Sequence, residues 1–373
     1  MRRFFSAFFC FGLLFASTAS AADAEPVKLR LGGFMKWYAA AAYNENVPAG
    51  YDYNRFDLIG DLEVYFKGET ALSDGFKIGV MAQLEGGTDD SYKKRQWDEV
   101  YLYADTLYGR FFMGDVKNAG EKLSVTAPST SFLSVSDGDF EYLMPVPEDV
   151  SYLNAPFMKS PDSLAPKLMY FSPSVNGLMI GVSVSGASNA NGHDSSVLYP
   201  ENNSSTGVKI KNGVSAALLY EYENEGGDFG VSLSATYSGY KPNDVLSHSL
   251  HDFALGANVS FHNWTVGGAV RRSKADVRSA YADLQGYRWE AGVLYDAARW
   301  SASVNVAVSK VRGDVNIRGD DDYALYVASY KYRLGAGVDF FAEAGYTDSG
   351  DETGLDTLSN KAFGSVAGIA LSF

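Results

Sequence analysis

Apolar and polar residues alternate with a period of two along most of the chain, the pattern of strands whose successive side chains point to opposite faces. In the last stretch, Phe363, Ser365, Ala367, Ile369, Leu371 and Phe373 share one face, and Gly364, Val366, Gly368, Ala370 and Ser372 share the other. Before it, Ala336, Val338, Phe340, Ala342, Ala344 and Tyr346 alternate with Asp339 and Glu343. Trp300, Ala302, Val304, Val306 and Val308 alternate with Ser301, Ser303, Asn305 and Ser309. Near the start, Phe56, Leu58, Leu62, Val64 and Phe66 alternate with Asp57, Asp61, Glu63 and Lys67. A barrel in lipid turns its apolar face outward and its polar face inward. Read this way, the chain predicts sixteen strands, starting near Val27, Asn54, Phe76, Gln96, Arg110, Lys167, Leu178, Asn212, Phe229, His251, Thr265, Gln285, Trp300, Asp322, Ala336 and Ala362.

The connections alternate between short and long. The seven short ones, such as Ser73 to Gly75, Pro173 to Gly177 and His262-Asn263, mostly carry the Gly, Asn, Asp or Pro of tight turns. The eight long ones include Glu45 to Tyr53, Ser188 to Lys211 and, longest of all, Lys117 to Pro166. That asymmetry predicts an all-β, 16-stranded antiparallel transmembrane barrel with short periplasmic turns, long extracellular loops and both termini periplasmic. Aromatics flank the short turns: Phe76, Phe111, Phe171, Tyr222, Phe229, Phe261, Trp264, Tyr295, Trp300, Tyr332 and Phe373. They predict a girdle at one lipid boundary. An open sheet edge cannot be satisfied in lipid, so the first strand, with Leu29, Leu31, Gly33, Met35, Trp37 and Ala39 outward, is expected to pair with the last.

The N-terminus adds a destination. Arg2 and Arg3 precede an apolar run from Phe4 to Phe15 and a small-residue site at Ala19-Ser20-Ala21, the layout of a secretory signal. Residues 1–21 are therefore expected to be cleaved, leaving a barrel over 22–373. The only cysteine, Cys10, falls in that segment, so disulfides and cysteine chemistry are not expected of the mature chain. The net charge is −14, and removing Arg2 and Arg3 leaves −16, which argues against nucleic acid as a partner. The remaining partners expected are outer-membrane lipid and lipopolysaccharide.

Sixteen strands close a barrel too wide for side chains to fill, so an aqueous channel is expected. Two segments then carry a resemblance. Tyr170-Phe171-Ser172-Pro173, followed by Gly177-Leu178, is similar to the Tyr-x-Ser-Pro turn of Gram-negative general diffusion porins. Leu107-Tyr108-Gly109-Arg110-Phe111-Phe112-Met113-Gly114 looks like the porin turn before the constriction loop. Tyr332-Arg333-Leu334-Gly335 and the terminal Phe373 also fit, and the nearest likeness is to the trimeric porins of alphaproteobacteria. The resemblance implies passive diffusion of ions and small hydrophilic solutes, a homotrimer, an assembly signal in Phe373, and no enzymatic activity. It also implies that loop 117–166 folds inward. The loop would present Asp137, Asp139, Glu141, Glu148 and Asp149 across the lumen from Lys36, Arg55, Lys77 and Arg95 on the wall. No Pro-Glu-Phe-Gly-Gly tip occurs in that loop, so eyelet residues do not transfer position by position. With an acidic loop and a net-negative chain, mild cation preference is expected.

Asp137-x-Asp139-x-Glu141 offers hard oxygen ligands for calcium, but it lacks the rest of a calcium-loop pattern and solvated loop charge is the plainer reading. No other cofactor is expected. Three other functions stay open: a substrate-selective channel, which would need an aromatic ladder on its wall; an outer-membrane barrel enzyme with catalytic groups at the wall or rim; and a structural or adhesive barrel, which would have an occluded pore.

Overall fold

A computed structural model describes residues 26–46, 56–73, 75–87, 97–136, 139–147, 150–157, 166–190, 208–242, 247–277, 284–312 and 319–373. Sixteen strands form one closed antiparallel barrel in which each strand pairs with its sequence neighbours. They are β1 (Lys28–Asn44), β2 (Phe56–Ser73), β3 (Phe76–Gly87), β4 (Trp97–Thr106), β5 (Gly109–Asp115), β6 (Pro166–Phe171), β7 (Leu178–Ala190) and β8 (Val208–Glu223). The second half comprises β9 (Phe229–Pro242), β10 (Ser247–Phe261), β11 (Trp264–Val277), β12 (Leu284–Asp296), β13 (Trp300–Val311), β14 (Asp321–Gly335), β15 (Val338–Gly350) and β16 (Ser359–Ser372). Among the described residues no helix is long and apolar enough to cross a membrane.

Closure occurs where expected. β1 pairs with β16, with Trp37 opposite Ile369 and Ala39 opposite Ala367. The last residue completes the seam: the Phe373 amide donates to the Gly33 carbonyl and the Gly33 amide returns the bond, both at 3.0 Å. The β6–β7 turn is a two-residue Asn176-Gly177 hairpin with both residues at positive φ, 50° and 85°, the geometry that matches strand twist.

Strand starts agree with the sequence reading to within two residues except at β8, β10 and β16. Those three start at the long-loop end. There pairing with the neighbouring strand continues three or four residues past the expected start.

The girdle holds on the outward face as a run of touching rings: Tyr222 with Phe229, then Trp264, Tyr295, Trp300 and Tyr330, at centroid separations of 4.8–6.4 Å. Phe171 is a correction. It faces inward, edge-on to Phe112 at 5.3 Å, because it belongs to a small core with Tyr103, Val116, Ala119 and Met169.

Candidate functional site: the constriction of the lumen

The polar inward face does more than meet water: it docks a loop. After β5, the described residues from 116 to 157 enter the barrel. Asn118 caps the short helix α1 (Ala119–Lys122), its side-chain oxygen accepting from the Glu121 amide at 2.8 Å. The chain then crosses the wall strand by strand. The amides of Ala119, Gly120 and Val125 donate to the hydroxyls of Ser183 on β7, Ser215 on β8 and Ser234 on β9, at 2.8–3.1 Å. Asn258 on β10 donates to the Thr126 carbonyl at 3.0 Å, and the Ala127 amide donates to Glu290 on β12 at 2.7 Å. Asn305 on β13 donates to the Pro128 carbonyl at 2.9 Å, and the Thr130 amide donates to Ser303 at 3.1 Å. The Phe132 amide and the Ser131 hydroxyl reach Glu343 on β15. Lys36 on β1 ends the traverse, donating to the Phe132 carbonyl at 3.0 Å. A backbone without secondary structure has donors and acceptors to satisfy; here the inward Ser and Asn side chains of successive strands do so.

Two ion pairs fasten the returning limb. Arg288, buried on β12, donates to the Leu153 and Val135 carbonyls at 2.8 Å each and lies 3.7 Å from Glu290. Arg271 on β11 pairs with Asp252 at 2.7 Å and donates to the Ala155 carbonyl. The loop's apolar tip, with Leu133, Val135, Phe140, Leu143 and Met144, packs on inward Tyr323, Leu325 and Val327 of β14 and Phe341 of β15. β14 therefore departs from the alternating rule and is apolar on both faces. Where the loop comes closest, the wall carries glycine: a Cβ on Gly256 would lie 1.9 Å from the Val125 carbonyl oxygen.

The loop thus lies along β7 to β16 and reaches β1, leaving the arc β2–β4 to face it. That arc is acidic. Its inward side chains include Asp61, Glu63, Glu85, Asp98 and Glu99. Lys36 pairs with Asp61 at 3.0 Å, and Tyr65 donates to Glu63 at 2.9 Å. With its amide nitrogen turned toward them, Gln83 donates to Glu63 at 3.2 Å and Asp98 at 3.3 Å. At the loop's root, Lys122 pairs with Glu99 at 3.1 Å. The loop limb opposite, residues 123–136, has no charged side chain and presents Ser124, Ser129, Ser131 and Ser134. A polar cavity of about 560 Å³ lies against this limb, bounded on the wall by Leu219, Glu221, Ser232 and Asn258.

Of the expected site residues, Lys36 stands at this constriction. Lys77 does not. The level of Lys36 meets β2 at Asp61 and β3 at Gly87, ten residues beyond Lys77, or about 33 Å along the strand. Lys77 instead lines the short-turn mouth, opposite Asp105. Glu141 sits in a 3-10 turn (Asp139–Tyr142) with its Oε1 buried. Arg55, Arg95, Asp137, Glu148 and Asp149 lie outside the described residues, as does the side chain of Asp139. The calcium run Asp137, Asp139, Glu141 falls largely there too. Three carboxylates do meet elsewhere, Asp321, Asp351 and Glu352, within 4.8 Å. Both Asp321 oxygens already accept, from the Ser151 and Glu352 amides, so this group ties down the returning limb.

Comparison with known proteins places this geometry. A family model described as Gram-negative porin matches residues 10–352. No curated protein matches the chain. Among solved structures, the anion-selective porin from Comamonas acidovorans is 14% identical, with TM-score 0.64, covering 93% of this chain and 100% of that one. The outer membrane channel DcaP of Acinetobacter baumannii is 15% identical, with TM-score 0.62, covering 96% and 100%. The trimer form of OmpT, an outer membrane protein of Vibrio cholerae, is 12% identical, with TM-score 0.60, covering 94% and 100%. At such identities the likeness is one of fold.

Proposed function

The chain belongs to the Gram-negative porin family, and from that premise we propose an outer-membrane porin for passive diffusion of ions and small hydrophilic solutes, with a mild preference for cations. One observation carries the sign of that preference: the carboxylates of Asp61, Glu63, Glu85 and Asp98 face a loop limb without charge. Single-signed charge on a narrow passage between low-dielectric walls raises the local concentration of the opposite ion. The carboxylates are divided among three strands, while Lys36 pairs with Asp61 and Lys122 with the neighbouring Glu99, so the preference is mild. Comamonas porin is named for anion selectivity; here the wall argues for the reverse. On this reading the acids of the wall set selectivity.

The reading extends to assembly. Small residues cover the outward face around the seam: Ala39 and Ala41 on β1, Ser365 and Ala367 on β16, Ala342 and Ala344 on β15, joined in register. They suit the close approach of other copies in a homotrimer, with the short turns and both termini periplasmic, the signal removed after Ala21, and Phe373 read during assembly.

The test is planar-bilayer recording of the refolded protein under a KCl gradient. Discrete steps with a cation-selective reversal potential are expected. Neutralising Glu63, Glu85 and Asp98 together (to Gln, Gln and Asn) should move the reversal potential toward zero. A silent but folded barrel overturns the channel, and anion selectivity in the wild type overturns the assignment of its charge.

A further inference from the structure

The loop divides the lumen, and its short-turn side carries a second set of polar groups. In register across the wall, Glu221 on β8 meets Ser232 on β9, and Ser232 meets Asn258 on β10. This row lies two residues, about 7 Å, nearer the short turns than Ser234, which receives the Val125 amide of the loop. It forms the wall of the cavity of about 560 Å³ against the loop limb. That volume falls within the range of about 300–1,000 Å³ typical of small-molecule sites.

Some hydroxyls of the limb are already engaged: those of Ser124, Ser131 and Ser136 donate to the Gly120 carbonyl, Glu343 and Glu290. Thr126, Ser134 and Ser232 also line the cavity, and their hydroxyls have no partner among the described residues. Ser134 stands at φ 47°, in the left-handed region. The other two described non-glycine residues with positive φ, Asn176 and His262, sit in short turns, where a hairpin calls for it. Ser134 belongs to no hairpin, and backbone held in that region gathers at ligand-binding sites. One charge in the cavity is unanswered. Glu221 has no cation partner among the described residues, whereas Lys122, the one cation of the lining, is held 3.1 Å from Glu99.

We infer that this cavity holds a small hydroxylated amine, of the amino-sugar class, on its way through the pore. The inference rests on the porin reading above and names a solute class for it. Glu221 takes the ammonium group through a charge-assisted hydrogen bond, roughly twice as strong as a neutral one. The three free hydroxyls both donate and accept, as ring hydroxyls of a sugar do. Leu219 and Val125 leave apolar surface for the C–H face of the ring. An acidic solute finds no free cation here, because Lys122 is taken. The carboxylates of β2–β4 draw the same ammonium toward the constriction.

Planar-bilayer recording of the refolded protein tests this at about pH 6, where an amine is protonated and carboxylates are ionised. Glucosamine, N-acetylglucosamine and glucose are added in turn to both sides. Glucosamine is expected to interrupt the open-channel current with dwell times about tenfold longer than those of the two neutral sugars. Glu221→Gln should bring glucosamine down to the level of glucose. Glu223→Gln removes the same charge two residues nearer the mouth and should leave the dwell times unchanged. Ser134→Gly keeps the left-handed backbone, removes the hydroxyl and should shorten the dwell of glucosamine about threefold. Equal dwell times for the charged and neutral sugars, or undiminished glucosamine dwell in Glu221→Gln, overturns the inference. Saturation-transfer NMR of glucosamine with the detergent-solubilised protein separates the two readings. A silent barrel that still binds glucosamine through Glu221 removes the channel and leaves the site; a conducting barrel indifferent to the three sugars removes the site and leaves the channel.

Discussion

Glu343 accepts from both Ser131 and Phe132 of the loop while buried on β15, and Glu290 does the same for Ala127 and Ser136 from β12. Neither contact could be read from spacing. Glu343 is visible in the sequence as an inward polar residue, but nothing local says that its partner lies 211 residues away. Removing one member of such a buried charged set leaves the others unmatched, at about 3–5 kcal/mol. Arg288→Ala is therefore expected to lower the urea midpoint of the refolded barrel and to add open-channel noise as the returning limb loosens. Lys36 gives a prediction of opposite sign to that of the wall acids. It offsets Asp61 at the constriction, so Lys36→Gln should strengthen cation selectivity in a reversal-potential measurement. The wall acids Asp61 and Glu63 were legible as inward-facing. Their place at the narrowest section was not, because parity gives a face and no height relative to the loop.

At the scale of elements, the inward serines act as a row of brackets. Ser183, Ser215, Ser234 and Ser303 each take one loop amide, and each neutral bond is worth about 0.5–1.5 kcal/mol. Replacing Ser215, Ser234 and Ser303 together by Ala is expected to leave the barrel folded and to broaden the distribution of single-channel conductance. Gly256→Val tests the close approach directly: its side chain would occupy the place of the Val125 carbonyl, so the loop must move and the conductance change. The sequence does hold a trace of this docking. Tyr323, Leu325 and Val327 are apolar at inward positions of β14, where an aqueous wall has no use for them. A strand apolar on both faces inside a wide barrel marks the place where a loop packs.

At the scale of the whole molecule, the barrel has two outward sides. Around the seam the surface is small and apolar; around β9–β13 it is aromatic. Ala41→Trp would place a large ring in the small-residue patch. Mass photometry is expected to show loss of the trimer, while each monomer still conducts. A variant that stays trimeric would move the subunit contact away from the seam. Closure follows from backbone satisfaction, and the asymmetric loop then divides the interior into a covered wall and an open acidic arc. Selectivity belongs to this scale, since it depends on which arc of the wall remains facing the passage.

The sequence by itself determined the sixteen strands, their faces, the alternation of short and long connections, the girdle and the seam between β1 and β16. Each follows from a local or periodic constraint: side-chain alternation, turn chemistry, or the need to pair every backbone group in lipid. Only the tertiary structure decided where the long loop lies, which inward residues hold it, why Phe171 turns inside, and that Lys77 stands far from Lys36. These depend on contacts between residues distant in the chain, and on height around a tilted, sheared cylinder. A period of two separates inside from outside, and it carries no coordinate along the axis or around it.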